Sequence, residues 1–268
     1  MTSTSIQGGC VFYWVLKVIL WPILRVLFRP WAEGVENVPK EGPVILAGNH
    51  LSFADHFFGA GFLPRKVISL GKIEYFTGRG IKGWISRAFF KGVGTVPIDR
   101  TGGKASEAAL RTGLRILSEG KVLGIYPEGT RSPDGRLYKG KTGVARLALE
   151  SRAPVIPWVM VNTHEMMPPG RVIPKFGIRP GVKFGKPLDF SRYYGMEHDR
   201  LILRAVTDEI MYAIMELSGQ EYVDKYAAAA KAEMQAARKA EKAEKAEKSG
   251  KPETIEHTER TAAGGSSS

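Results

Sequence analysis

The 268-residue chain is 43% hydrophobic, enough for a real core, and its single cysteine excludes a disulfide framework or a cysteine-based zinc site. Its 39 Lys/Arg against 27 Asp/Glu give a formal net charge of +12. Residues 225–260 hold nine Lys/Arg and seven Asp/Glu, so the excess sits on the first 224 residues, where it favours nucleic acid, an acidic membrane or phosphorylated substrates.

The first element is the apolar run from Cys10 to Trp31, CVFYWVLKVILWPILRVLFRPW. Its cations Lys17, Arg25 and Arg29 fall at about 0°, 80° and 120° around a helix. They form one basic stripe beside a wide apolar face bearing Phe12, Trp14, Leu20, Trp21 and Phe28. That pattern predicts a helix lying in a membrane interface, its cations reaching lipid phosphates. A spanning helix needs about 20 mostly apolar residues, and the three charges oppose that arrangement. Pro22 is expected to kink the helix or split it in two. The first nine residues lack the basic region of a secretory signal.

Short β-branched runs then alternate with helical patterns. Strands are predicted at Val44–Ala47, Val67–Leu70, Gly94–Ile98, Val122–Tyr126 and Val155–Val161. Helices are predicted at Phe53–Phe62, Lys104–Glu119 and Val144–Ser151. The rhythm indicates an α/β fold with a mixed, largely buried β-sheet flanked by helices. The stretch RVIPKFGIRPGVKFGKPL is expected to add a late pair of short strands as an edge hairpin. From residue 221 the sequence turns to Ala, Glu and Lys, predicting a solvated helix and then a flexible tail. The organisation expected is an anchoring segment over 1–33, a main domain over 34–220 and the tail over 221–268.

Two glycine motifs lack their structural setting. Gly135–Thr142, GRLYKGKT, matches the Walker A pattern but follows a polar turn rather than a buried strand. Gly78–Gly83, GRGIKG, matches a dinucleotide fingerprint without a clean strand before it and is expected to be a flexible loop.

Chemistry concentrates in GNHLSFADHFF, Gly48 to Phe58. PVILAGNH is a strand running into a turn, and SFAD has capping-box spacing, making Ser52 the expected N-cap with Asp55 in the first turn. His50 then lies on the incoming turn, where its side chain can meet Asp55. Two readings stand together: Asp55 caps the helix, or Asp55 orients His50 for proton transfer. A metal site of His50, Asp55 and His56 lacks a fourth ligand. No Gly-x-Ser-x-Gly elbow accompanies the pair, and the one cysteine is in the apolar N-terminal segment. A catalytic pair here would therefore act on the substrate's own hydroxyl, as suits an activated acyl donor such as a thioester.

The block NHLSFAD, with His-x4-Asp, resembles the first motif of the glycerolipid acyltransferases, the family of lysophosphatidate acyltransferase. GTVPIDR (Gly94–Arg100), YPEGTRS (Tyr126–Ser132) and VIPWVMV (Val155–Val161) resemble the family's later blocks, in order. The resemblance covers roughly Val35 to Leu188. It implies an acyltransferase domain over 34–220, with His50 as general base and Asp55 orienting it. It further implies Arg100 holding the acceptor phosphate and Glu128, Gly129, Thr130 and Arg131 shaping the acceptor site, with Lys72 and Lys104 adding charge. Pro97 stands where the family has a bulky apolar residue, and YKGKT where it often has Phe-Lys.

The activity implied is acyl transfer from acyl-CoA or an acyl-carrier protein to lysophosphatidate, giving phosphatidate, with no metal and no cofactor beyond that co-substrate. Glycerol 3-phosphate or a larger lysophospholipid are alternative acceptors. Expected partners are an anionic membrane surface, the lysophospholipid and the acyl thioester, and no nucleic acid. The expected location is the cytoplasmic face of the cell membrane, peripheral or monotopic. From other classes stand a non-catalytic membrane-binding protein and a P-loop nucleotide binder using Lys141.

Overall fold

A computed structural model describes residues 4–98, 105–171 and 173–248. The chain divides into two compact units, Met1–Ala228 and Ala229–Ser268. In chain order the elements begin with α1 (Thr4–Phe28), β1 (Trp31–Glu33), β2 (Val44–Gly48), α2 (Asp55–Gly61), β3 (Val67–Lys72), α3 (Glu74–Thr77), α4 (Gly80–Gly92) and β4 (Thr95–Ile98). They continue with α5 (Ala105–Ser118), β5 (Val122–Ile125), β6 (Leu137–Tyr138), α6 (Gly143–Ser151), β7 (Val155–Val161), α7 (Thr163–Met166), β8 (Gly181–Phe184), α8 (Arg200–Ser218) and β9 (Tyr222–Val223). α9 (Ala227–Lys248) is the Ala/Glu/Lys helix, and its side chains are mostly exposed.

Seven strands form one sheet in the order β1-β8-β7-β2-β5-β3-β4, parallel except for the β7–β8 pair. β6 and β9 pair separately. All five residues of β2 are buried, as a strand covered on both faces requires. Its alternation divides the core. Ile45 and Ala47 pack into the layer built by α5, α6 and α8, and Val44 and Leu46 into the layer holding Phe58 of α2 and Phe28 of α1. Each fully buried aliphatic side chain contributes about 1.5–3 kcal/mol. The C-terminal ends of β2, β3, β4 and β5 share one edge, and the site forms there.

Four sequence expectations change. Of the kink or split expected at Pro22, the split does not occur: α1 is one helix from Thr4 to Phe28. A proline forfeits one backbone bond, and packing of the flanking turns against the domain holds the helix together. The late hairpin is also absent among the described residues: only β8 forms, antiparallel to β7, because Pro174 and Pro180 deprive the stretch before it of ladder donors. The glycines of GRGIKG do not make a flexible loop. Gly83 lies in α4, and a Cβ added to it would sit 2.0 Å from Gly78 O, so the absent side chain lets helix and preceding turn close on each other.

The fourth change concerns the faces of α1. Trp21 packs edge-on to Phe62 at 4.8 Å and Phe28 to Phe58 at 5.9 Å, so the aromatic face expected in the membrane is partly turned inward. Lys17 turns inward too: its Nζ donates to Ala60 O at 3.2 Å and to Leu63 O, closing the C-terminal end of α2. Burial lowers its pKa to about 8. The outward face is a different apolar one, with Val18, Ile19 and Val26 exposed by 69%, 62% and 77%. Arg25 and Arg29 remain exposed. Among the described residues no helix is long and apolar enough to cross a membrane.

Candidate active site

β2 ends in the turn carrying Asn49 and His50, and α2 begins at Asp55. Asn49 is buried and copies a strand's bonding: its Oδ1 accepts from Met160 N at 2.8 Å and its Nδ2 donates to Met160 O at 3.2 Å. This fastens the turn to β7.

His50 Nδ1 lies 2.9 Å from Asp55 Oδ2. The same oxygen accepts the backbone N–H groups of Leu51 at 2.8 Å and Ser52 at 2.9 Å. The carboxylate of Asp55 thus holds the turn before α2 and the imidazole together, while the N-cap of α2 is Ala54 rather than the expected Ser52. Asp55 reaches back to Ser52 N–H as the acid of a capping box does. Ser52 Oγ accepts from Ala54 N at 3.2 Å and donates to Met167 O at 2.8 Å, so that hydroxyl is committed to structure. With an acid-only acceptor at Nδ1, the neutral imidazole carries its proton there and presents a bare Nε2.

The ring of His50 stacks on Tyr126 at 4.0 Å and 12°. Tyr126 stacks in turn towards Trp158, and Trp158 towards Phe184. This column fixes the plane of the imidazole as Asp55 fixes its edge. Burial raises the Tyr126 pKa, the Asp55 carboxylate adding to it, so the phenol stays neutral. His56, 5.6 Å from His50 ring to ring, has its pKa lowered to about 4 by burial, with the charges of His50 and Arg131 contributing. It is a neutral wall of the site.

The turn of residues 128–132 grips the peptide groups of His50 from both sides. His50 N donates to Glu128 Oε2 at 3.2 Å, and Ser132 N donates to His50 O at 2.7 Å. The other oxygen of Glu128 accepts Tyr138 N at 2.9 Å. Glu128 is 1% exposed, so it shapes the site from behind rather than lining it. Burial raises its pKa to about 8 against the pull of those two bonds. The fold thus favours its protonated form. That stabilisation is complete below the ordinary carboxylate range and is lost as pH rises through about 8. Thermal stability should fall from about pH 4.5 to about pH 8, and Glu128→Gln, with no proton to lose, should flatten this dependence in a series of melting curves. Glu128→Ala should cost about 2–4 kcal/mol by leaving two buried N–H groups unpaired.

Gly129 takes φ +74°, which glycine permits, and donates its N–H to Tyr126 O at 2.9 Å. Over its Cα lies Lys141: a Cβ added to Gly129 would be 3.1 Å from Lys141 Cε and 3.2 Å from Nζ. Lys141 N donates to Pro127 O at 2.8 Å, which pins the residue beside the turn. The Walker-type segment is therefore no phosphate loop: β6 interrupts it and its lysine faces the 128–131 turn. Sequence reading missed this cation's place because the local motif pointed elsewhere. Thr130 and Arg131 are half-buried on the same turn. Lys72 closes β3 on the same sheet edge, opposite Ile98 of β4. Arg100 and Lys104 lie outside the described residues. Among the described residues no cluster of three or more His, Cys, Asp or Glu is arranged to hold a metal.

Beside His56 opens a small apolar pocket of about 50 Å³. Leu20, Trp21 and Leu24 of α1, Phe57 of α2 and Val93 after α4 line it, with Lys17 at its polar end.

The sequence model of the family described as Acyltransferase matches residues 30–161. The chain is 31% identical over 160 residues to the chloroplastic 1-acyl-sn-glycerol-3-phosphate acyltransferase of Arabidopsis thaliana, a match covering 56% of this chain and 42% of that one. It is 28% identical over 190 residues to the 1-acyl-sn-glycerol-3-phosphate acyltransferase of Bacillus subtilis, covering 69% of this chain and 86% of that one. The chain thus spans less than half the length of the plant relatives from Arabidopsis thaliana and Brassica napus, 42% and 43%. Its fold is similar to that of a solved structure, the 1-acyl-sn-glycerophosphate acyltransferase of Thermotoga maritima. That likeness has a TM-score of 0.58 at 24% identity, over 81% of this chain and 83% of that one.

Proposed function

For this chain, whose residues 30–161 match the sequence model of the family described as Acyltransferase, we propose transfer of a fatty acyl group from an acyl thioester to the free hydroxyl of lysophosphatidate, giving phosphatidate. The observation that carries the reading is the His50–Asp55 pair, with Nδ1 held at 2.9 Å and the neighbouring Ser52 hydroxyl already donated to Met167 O. A base with no enzyme nucleophile beside it suits direct attack by the substrate's oxygen. Nε2 takes the hydroxyl proton as oxygen attacks the thioester carbonyl, and Asp55 steadies the imidazolium that forms. The carbonyl oxygen gains charge. The N–H groups of Thr130 and Arg131 have no acceptor among the described residues and are the donors we assign to it. The tetrahedral intermediate then expels the thiolate, which takes the proton from His50.

The acceptor phosphate docks on Arg131 of the 128–131 turn and on Lys141, which packs against that turn, with Lys72 at the end of β3 contributing and Arg100 and Lys104 as further candidate cations. The acyl chain enters along the small apolar pocket next to His56. The exposed apolar face of α1, flanked by Arg25 and Arg29, rests on an anionic membrane surface and brings the lysolipid to the site.

Purified protein incubated with a panel of acceptors and acyl donors tests this. Phosphatidate from lysophosphatidate, identified by mass spectrometry, is the expected product. Transfer only to glycerol 3-phosphate or to a lysophospholipid with a larger head group would move the assignment to that acceptor, and transfer to none would end it. Arg131→Ala and Lys141→Ala should each raise the acceptor KM about 10-fold or more with a smaller change in kcat, since a charge-assisted bond to phosphate is worth about 1.5–3 kcal/mol. Steady-state kinetics against acceptor concentration reads this directly.

A further inference from the structure

The segment between α7 and β8 was expected to contribute a strand, and its described residues contribute none. From Met166 to Leu188 the sequence has five Lys/Arg and no Asp or Glu. On the loop itself Arg171, Lys175 and Arg179 are exposed, and none of them makes an ion pair with a described residue. Between these cations stand Ile173 and Phe176, exposed by 67% and 68%. Large apolar side chains this exposed, alternating with cations, are poor candidates for a free water-facing surface.

The loop is nonetheless held in place. Phe176 stacks on Phe28 of α1 at 5.6 Å and 6°, and Arg179 Nε donates to Arg29 O at 3.2 Å. Lys175 N donates to Met166 O at 2.9 Å, and Asn162 Nδ2 to Arg179 O at 3.1 Å. Its prolines at 168, 169, 174 and 180 restrict the backbone further. The Phe28 stack makes the loop continuous with the end of α1, where Val26 and Leu27 are exposed by 77% and 51%. Its base, Met167, accepts the hydroxyl of Ser52 in the catalytic turn.

We propose that this loop, residues 168–171 and 173–180, is a second contact with an anionic lipid bilayer, with Ile173 and Phe176 entering the interface and Arg171 and Lys175 paired with lipid phosphates. The proposal rests on the reading of the protein as a membrane-surface acyltransferase. Two contacts, α1 and the loop, fix the rotation of the domain on the membrane as one helix alone does not. The tie from Ser52 to Met167 then places the His50 turn at a set distance from the lipid surface. An acidic protein would suit the cations equally, but the exposed apolar pair running on from α1 favours lipid.

Sedimentation of the full chain with phosphatidylcholine vesicles, with and without phosphatidylglycerol, tests it. Arg171→Glu with Lys175→Glu should weaken binding to the phosphatidylglycerol vesicles by about 10-fold or more, since each cation near an anionic surface is worth roughly fivefold. Ile173→Ser should weaken binding to both vesicle types. Turnover of short-chain, water-soluble acceptor and donor should be unchanged in all variants, which also certifies their folding. Wild-type binding by both variants would overturn the loop assignment alone. Failure of the wild type to bind any vesicle would overturn the membrane reading and the loop with it. Unchanged vesicle binding with a raised KM for an acyl-carrier-protein donor would assign the loop to that protein instead.

Discussion

His50→Ala is expected to cut acyl transfer by about 10²–10⁴-fold, the usual worth of a positioned general base. The change removes the only imidazole joined to a carboxylate among the described residues and leaves its supports standing. Asp55 Oδ2 keeps its bonds from Leu51 N and Ser52 N, and the peptide of residue 50 keeps its bonds to Glu128 and Ser132. What the fold loses is the ring's stacking on Tyr126 and one hydrogen bond, about 1–3 kcal/mol. The variant should therefore melt a few degrees lower, keep its circular dichroism and still sediment with anionic vesicles. Wild-type turnover by this variant would remove His50 from the chemistry. A collapse of the melting transition would leave the lost activity uninformative, and His50→Gln, which retains an amide able to reach Asp55, would then be the variant to assay.

The parts of this site legible in the sequence are those that lie close along the chain. His50 and Asp55 meet because a strand end, a turn and a helix start occupy the eight residues from Gly48 to Asp55, and each of those has a local signal. The strands were legible from β-branched runs, since a sheet buried on both faces leaves an unbroken apolar pattern. The supports of the site were not legible, because each is a meeting of distant segments. Asn49 clamps Met160, Glu128 reaches Tyr138, and the column from His50 through Tyr126, Trp158 and Phe184 joins the turns after β2 and β5 to β7 and β8. α4 escaped notice because its glycines, read locally, break helices, whereas Gly83 is needed for close packing on Gly78. Lys17 was placed in a lipid-facing stripe by periodicity alone. A helix that is apolar nearly all round has two candidate inner faces, and only the carbonyls at the end of α2 decide which is used. Lys141 shows the reverse case, a full local motif whose lysine serves another turn.

Asp55→Asn separates the two duties of the carboxylate, and the expected result is a large catalytic loss with a small structural one. All three of its hydrogen bonds end on Oδ2, while Oδ1 is buried without a partner. An asparagine can set its carbonyl oxygen where Oδ2 was and keep the bonds from Leu51, Ser52 and His50. Its amide then occupies the already unpartnered position. The cap survives with neutral bonds in place of charge-assisted ones, a cost of about 1–3 kcal/mol. The negative charge that would steady an imidazolium is gone. If the amide turns the other way, it donates to Nδ1 and drives the proton onto Nε2, which removes the base altogether. Both arrangements lower kcat, by about 10²–10⁴-fold. Asp55→Ala should match that loss and add a larger drop in melting temperature, because Leu51 N–H and Ser52 N–H are then buried unpaired. The comparison is decisive in kcat: an Asp55→Asn protein that turns over normally but melts lower would reduce Asp55 to a helix cap, and the proton-transfer role of the pair would fall with it.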